Sequence, residues 1–195
     1  AGPVDIGAYE LNMICVSTTT DDFDGDLSFG DLSLREAIDY ANTAGVLTII
    51  CLPAGHYYLT RSGMESTTNT NFNDLDIFGN VKIIGAGPGA TVIDGGSLTS
   101  DDRIFDIANL GMLSITGVTL ALGQASNTAG LRNGGAVRIQ NGGQLDLDTS
   151  AVVGNATGRA GNGGAIYYSS TAHGSITNSV ITVNTADNDT GGVYL

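Results

Sequence analysis

An internal repeat narrows the possible folds of this chain more than any other feature. Gly134-Gly135-Ala136-Val137-Arg138-Ile139 returns as Gly163-Gly164-Ala165-Ile166-Tyr167-Tyr168, an offset of 29 residues. The same offset joins Leu147 to Ile176, Ser150 to Ser179, Val152 to Ile181 and Asn155 to Asn184, and a third copy opens at Gly191-Gly192-Val193. Upstream the offset is 32: Phe105 and Ile107 match Val137 and Ile139, Leu113 and Ile115 match Leu145 and Leu147, and Val81 and Ile83 match Leu113 and Ile115. Inside each copy apolar and polar residues alternate, as in Leu113-Ser114-Ile115 and Leu145-Asp146-Leu147, which marks strands with one buried face. Runs such as Gln140-Asn141-Gly142-Gly143 punctuate the strands with turns. One such unit cannot bury its apolar face alone, but stacked units share a core. A propeller blade would repeat at about 40 residues or more, and short strands at this period fit a solenoid better than a sandwich. The repeat therefore predicts an all-β solenoid, with coils over residues 79–195 cut mid-coil at the C-terminus.

A different pattern precedes the coils. Leu34, Ala37, Ile38 and Ala41 fall on one helical face, and Ser33 with Glu36 forms a capping box. Gly45 follows where a left-handed residue ends a helix. The spacing predicts a helix over about 33–44 inside an N-terminal cap region, residues 11–78, placed to cover the open end of the solenoid core against edge pairing.

Charge excludes one class of partner. Acidic residues number 20 against 7 basic ones, a formal charge of −13, and Lys82 is the one lysine. Phosphate binding needs a basic face, so no nucleic-acid partner is expected. No apolar run reaches the roughly 18–20 residues of a membrane span. The first residue is Ala1 rather than Met, which reads as a chain processed or excised from a longer one. Two cysteines, Cys15 and Cys51, are too few for a disulfide scaffold or a zinc site. Cys15 lies between Ile14 and Val16 and Cys51 between Ile50 and Leu52, so if those neighbours point inward, both sulfurs point outward. Stacked parallel strands would bring them about 4.8 Å apart, within reach of one disulfide.

Leu32-Ser33-Leu34-Arg35-Glu36-Ala37, the stretch Val16 to Asp22, Leu52-Pro53-Ala54-Gly55, Asp74-Leu75-Asp76-Ile77 and Thr91-Val92-Ile93-Asp94-Gly95 resemble bacterial and archaeal surface proteins that carry a CSLREA-type N-terminal motif. The Gly-Gly-Ala repeats with Asn155 and Asn184 resemble the coils of those proteins and of polymorphic outer-membrane adhesins. The resemblance spans nearly the whole chain. It implies a right-handed parallel β-helix, export, and an extracellular or cell-surface location. Two departures stand out. The motif's Cys is Leu32 here, so any disulfide relatives form there is absent. Val4-Asp5-Ile6-Gly7-Ala8-Tyr9-Glu10 resembles the segment that closes such a helix at its C-terminal end, yet it comes first. Residues 1–10 therefore read as a closing strand for a neighbour. Val4, Ile6 and Tyr9 would dock on the exposed coil around Val193 and Leu195 of another copy, building a head-to-tail filament or array by strand addition.

Candidate chemistry is sparse. Asp22, Asp24, Asp26 and Asp31 surround a glycine turn and are the candidate ligands of a calcium ion, which takes about six to eight oxygens. The bland alternative is a solvated acidic loop, and the EF-hand pattern fails because Ser33 stands at the twelfth position from Asp22. Stacked Asn155 and Asn184 are expected to form an inward amide ladder at a turn. Asp146 and Asp148 alternate on one strand, with Arg138 placed near them on an adjoining one; Asp187 and Asp189 sit in a loop. Glycoside hydrolysis needs two carboxylates roughly 5–9.5 Å apart across the bond, but outward aspartates between buried leucines need no such explanation. His56 and His173 are isolated, and alternation buries about half of Tyr57, Tyr58, Tyr167 and Tyr168. Asn155-Ala156-Thr157 and Asn188-Asp189-Thr190 match the glycosylation sequon. The reading is an extracellular structural or adhesive module, whose partners are copies of itself, surface glycans or other cells, with a polysaccharide-acting lyase or hydrolase as the alternative.

Overall fold

The structure, a computed structural model, describes residues 12–63, 72–96, 102–108, 110–127 and 131–195. Strand β1 (Asn12–Cys15) leads through a loop into helix α1 (Leu34–Thr43). Three-stranded rungs follow. The first holds β2 (Thr48–Leu52), β3 (Gly55–Tyr58) and β4 (Leu75–Ile77); the second β5 (Asn80–Gly85), β6 (Thr91–Asp94) and β7 (Phe105–Ile107). The third holds β8 (Met112–Thr116), β9 (Thr119–Ala121) and β10 (Val137–Ile139). The fourth holds β11 (Gln144–Asp148), β12 (Ala151–Val153) and β13 (Ile166–Tyr168); the last β14 (His173–Thr177), β15 (Val180–Thr182) and β16 (Val193–Tyr194). Strands at the same place in each rung pair into three sheets, β1-β2-β5-β8-β11-β14, β3-β6-β9-β12-β15 and β4-β7-β10-β13-β16. The chain is a parallel β-helix with, among the described residues, one short helix.

The register is the repeat. Ile14, Ile50, Ile83, Ile115, Leu147 and Ile176 form one inward column. Tyr57, Ile93, Leu120, Val152 and Ile181 form a second. The third sheet points both flanks of each strand inward, so Leu75, Phe105, Val137 and Ile166 run beside Ile77, Ile107, Ile139 and Tyr168. These columns merge into one core. Each fully buried aliphatic or aromatic side chain favours the stack by roughly 1.5–3 kcal/mol over leaving it in water, which no single rung achieves alone.

The paired glycines of the repeat have separate tasks. Gly134 and Gly163 take φ of +69° and +65°, where a side chain is strained. The second glycine allows close stacking: a Cβ on Gly135 would lie 2.2 Å from the Gly164 oxygen, and one on Gly164 would lie 2.4 Å from the Gly191 oxygen.

Helix α1 begins as its letters predict. The Ser33 hydroxyl accepts the Glu36 N–H at 3.1 Å, and the Glu36 carboxylate accepts the Ser33 N–H at 3.0 Å. Gly45 is left-handed, φ +68°. Leu34, Ala37, Ile38 and Ala41 are buried, and the helix packs on β2, β4 and β5. The coils reach further toward the N-terminus than residue 79, because β1 to β4 lie within residues 11–78 and already belong to the three sheets. The helix and its loops stretch the spacing there to 36 residues between Asn12 and Thr48, which hides the period.

Candidate functional site

The middle residues of the third sheet, Asp76, Asp106, Arg138, Tyr167 and Tyr194, stack in register. Their neighbours along each strand face the core, so this row faces outward. Its first three members are nevertheless buried. Arg138 grips Asp106 with two nitrogens, Nε to Oδ1 at 3.0 Å and Nη2 to Oδ2. Gln140 Nε2 donates to Asp106 Oδ2 at 2.8 Å. Arg103, 0% exposed, donates from Nη1 to Asp74 Oδ2 at 2.9 Å and lies 3.8 Å from both Asp106 and Asp102. Arg35 joins this network to the cap: it donates to the carbonyls of Asn73 and Asp74 and pairs with Asp21 at 2.6 Å. Asp21 in turn accepts the N–H groups of Thr60 and Arg61.

Among the described residues, Asp74, Asp76 and Asp106 are the set of three carboxylates whose oxygens come within 4.8 Å of one another, the spacing a metal ion would need. Arg103 pairs with Asp74, and Arg138 engages Asp106 on both oxygens. A cation there would compete with both guanidiniums for these carboxylates. The arrangement acts as an ionic bolt that ties rungs and cap together. Arg138 is thus committed to Asp106 on the third sheet, not to Asp146 where the sequence reading placed it. The signal was present in the letters, since Asp106 and Arg138 sit at the 32-residue offset. Alternation, however, marks both as solvent-facing.

In the acidic loop the candidate calcium ligands bond to the backbone around them. Asp22, Asp24 and Asp26 each accept a nearby backbone N–H, from Phe23, Asp26 and Ser28, and Glu36 Oε1 accepts those of Asp24 and Gly25 at 3.0 Å. With Asp31 they form no convergent set of the kind Asp74, Asp76 and Asp106 form. Hydrogen bonds from Ser28 lower the Asp26 pKa. Asp31 is raised by desolvation and then by the charges of Asp24, Asp26, Glu36 and Asp22.

The remaining candidates divide clearly. Asn155 and Asn184 form the expected ladder: Asn155 Nδ2 and its backbone N–H both donate to Asn184 Oδ1 at 2.9 Å, and Gly123 N–H donates to Asn155 Oδ1 at 2.8 Å. Asn155 is 0% exposed, so its amide is closed to glycosylation in the folded chain, whereas Asn188 is exposed. Asp146 accepts from Ser175, and Asp148 from Thr177, Asn178 and Thr149, forming an outward polar ladder. These hydrogen bonds lower the Asp148 pKa. Asp187 Oδ2 accepts the Ala160 N–H, and Asp189 lies in a single bridge to Asn162. His56 lies 2.8 Å from Asp94 and stacks on Tyr58, and His173 is exposed on β14. Tyr57 and Tyr168 point inward while Tyr58 and Tyr167 point outward, Tyr167 stacking on Tyr194 at 5.2 Å. Cys15 and Cys51 are register partners on β1 and β2, with free thiols.

The rung of β14, β15 and β16 is the last one described. Strands β14, β15 and β16 pair on one side only among the described residues, and the core residues Ile176, Ile181 and Val193 are only partly buried there. A depression of about 410 Å³ opens between Tyr168, Ile176, Val193 and Leu195. Leu195 is 89% exposed. Val4, Ile6 and Tyr9 lie outside the described residues. No helix among the described residues is long and apolar enough to cross a membrane. In comparisons with known proteins the chain matches no protein-family model, no curated protein and no solved structure.

Proposed function

We propose that this β-helix is an extracellular, surface-associated structural or adhesive module that joins head-to-tail with copies of itself. The rung-on-rung register carries this reading. Every strand pairs in parallel with its counterpart in the next rung and the inward columns of successive rungs share one core, so a strand of another copy can extend the β14, β15 and β16 rung by the same contacts. Strand addition there continues the hydrogen-bond ladder and buries Ile176, Ile181 and Val193. A heterologous contact of this kind need not close and builds a linear array. The segment containing Val4, Ile6 and Tyr9 is the proposed docking strand. The outward polar rows leave the flanks of such an array free to meet surface glycans or other cells.

Sedimentation and electron microscopy of the full chain test this reading. Linear particles that disappear in Val193→Asp and after deletion of residues 1–10 are expected. A wild-type chain that stays monomeric at all concentrations overturns the assembly, and filaments unchanged by the deletion rule out the docking segment. Release of reducing ends or unsaturated sugars from a panel of polysaccharides would favour the alternative, a lyase or hydrolase.

A further inference from the structure

Among the described residues, β2 is the one strand that pairs with β1, the first strand of the solenoid. At the end of that pairing Cys15 stands opposite Cys51. Ile14 and Val16 turn toward the core on one side, and Ile50 and Leu52 do so on the other, so both sulfurs face outward. Cys15 is exposed and Cys51 is half-buried. Between the two cysteines in sequence lie the acidic loop and helix α1, which packs on β2, β4 and β5.

We propose that Cys15 and Cys51 form a thiol–disulfide exchange site whose oxidation staples the first strand and the cap segment onto the second strand. The register spacing of parallel strands, about 4.8 Å, falls within the Cα separation a disulfide accepts. The exposed Cys15 reacts first. Its thiolate attacks one sulfur of a small-molecule disulfide, forms a mixed disulfide and expels one thiolate. Cys51 then loses its proton, attacks the Cys15 sulfur and expels the second thiolate. Two protein thiols are oxidised to one disulfide, the external disulfide is reduced to two thiols, and the two protons end on those leaving groups. The Cys51 thiol is pushed up to about 11 by its hydrogen bond with Cys15, by burial and by the Cys15 charge. The mixed disulfide removes the first and last of these causes, so the first step itself releases Cys51 for the second. This inference does not depend on the assembly proposed above.

Oxidised glutathione is the probe. The full chain is incubated with it, alkylated and weighed intact. Both thiols should be lost with no retained adduct, and the oxidised chain should melt higher by on the order of 10 °C, the gain expected from closing a loop of this length. Cys51→Ser should stop at a single glutathione adduct, and Cys15→Ser should react more slowly than wild type. Two thiols that stay free, two retained adducts, a disulfide-linked dimer, or an oxidised form that melts no higher than the reduced one would each overturn the proposal.

Discussion

Asp106 binds two guanidiniums into one buried network, and its loss should be felt well beyond its own hydrogen bonds. In Asp106→Asn, Arg138 and Arg103 stay buried with their shared anion gone. Removing one partner of a buried pair costs about 3–5 kcal/mol, against about 0.5 kcal/mol for a change at an exposed residue such as Asp189→Asn. Urea unfolding midpoints of the two variants should differ accordingly, and equal shifts would show that the bolt has no weight. Asp106→Leu combined with Arg138→Met should recover part of the loss, because it removes both charges together. Period-two patterning identifies the outward side of β4, β7 and β10, and outward polar residues read as solvated. That Asp76, Asp106 and Arg138 are instead covered depends on how the surrounding loops lie, which no local pattern encodes. Cys15 and Cys51 were legible for the opposite reason, since strand register alone sets them side by side.

At the scale of the element, α1 is organised around a single carboxylate. Glu36 accepts the N–H groups of Ser33, Asp24 and Gly25. Burial by itself would raise its pKa, but the hydrogen bonds from Ser33, Gly25 and Asp24 outweigh it and hold the carboxyl below its ordinary value of 4.5. A depressed folded pKa means the stabilising contribution is present above that ordinary value and is lost as pH falls through the folded one. Acid should therefore loosen the cap and its loop. Glu36→Gln should lower the melting temperature at neutral pH and flatten its decline below about pH 4.5, as followed by calorimetry across pH; an unchanged slope would remove Glu36 from the acid response. The capping box was legible because its residues are three apart. The second half of Glu36's role was not, because Asp24 and Gly25 reach it only after the acidic loop folds back over the helix start. In the same loop Asp22, Asp24 and Asp26 each accept a nearby backbone N–H, contacts that the spacing of the acidic letters does not announce.

For the whole molecule, the inward columns and paired glycines of the repeat are one fact seen twice, in letters and in space. Where the spacing stays at 32 and then 29 residues, as along Leu113, Leu145 and the Asn155–Asn184 corner, the rungs could be read directly. Where α1 interrupts the first turn they could not. Rungs that touch only their neighbours also determine how the chain would yield under load. If this 195-residue chain is held near β1 and drawn out from Leu195, the pull enters at β14, β15 and β16, which pair on one side only among the described residues, so that rung should peel before the one beneath it moves. Each C-terminal release frees a repeat of 29 residues, a contour of about 100 Å at roughly 3.3–3.6 Å per residue. Optical-trap extension should then show a staircase with steps of about that length, beginning at β14–β16 and ending at the helix-bearing end, where the Arg35–Asp21 pair and the buried network tie loop, helix and strand together. A single jump through the whole contour would mean that the molecule breaks as a block. A staircase would mean that it pays out line like a spool, shedding tension in fixed increments while its far end keeps hold.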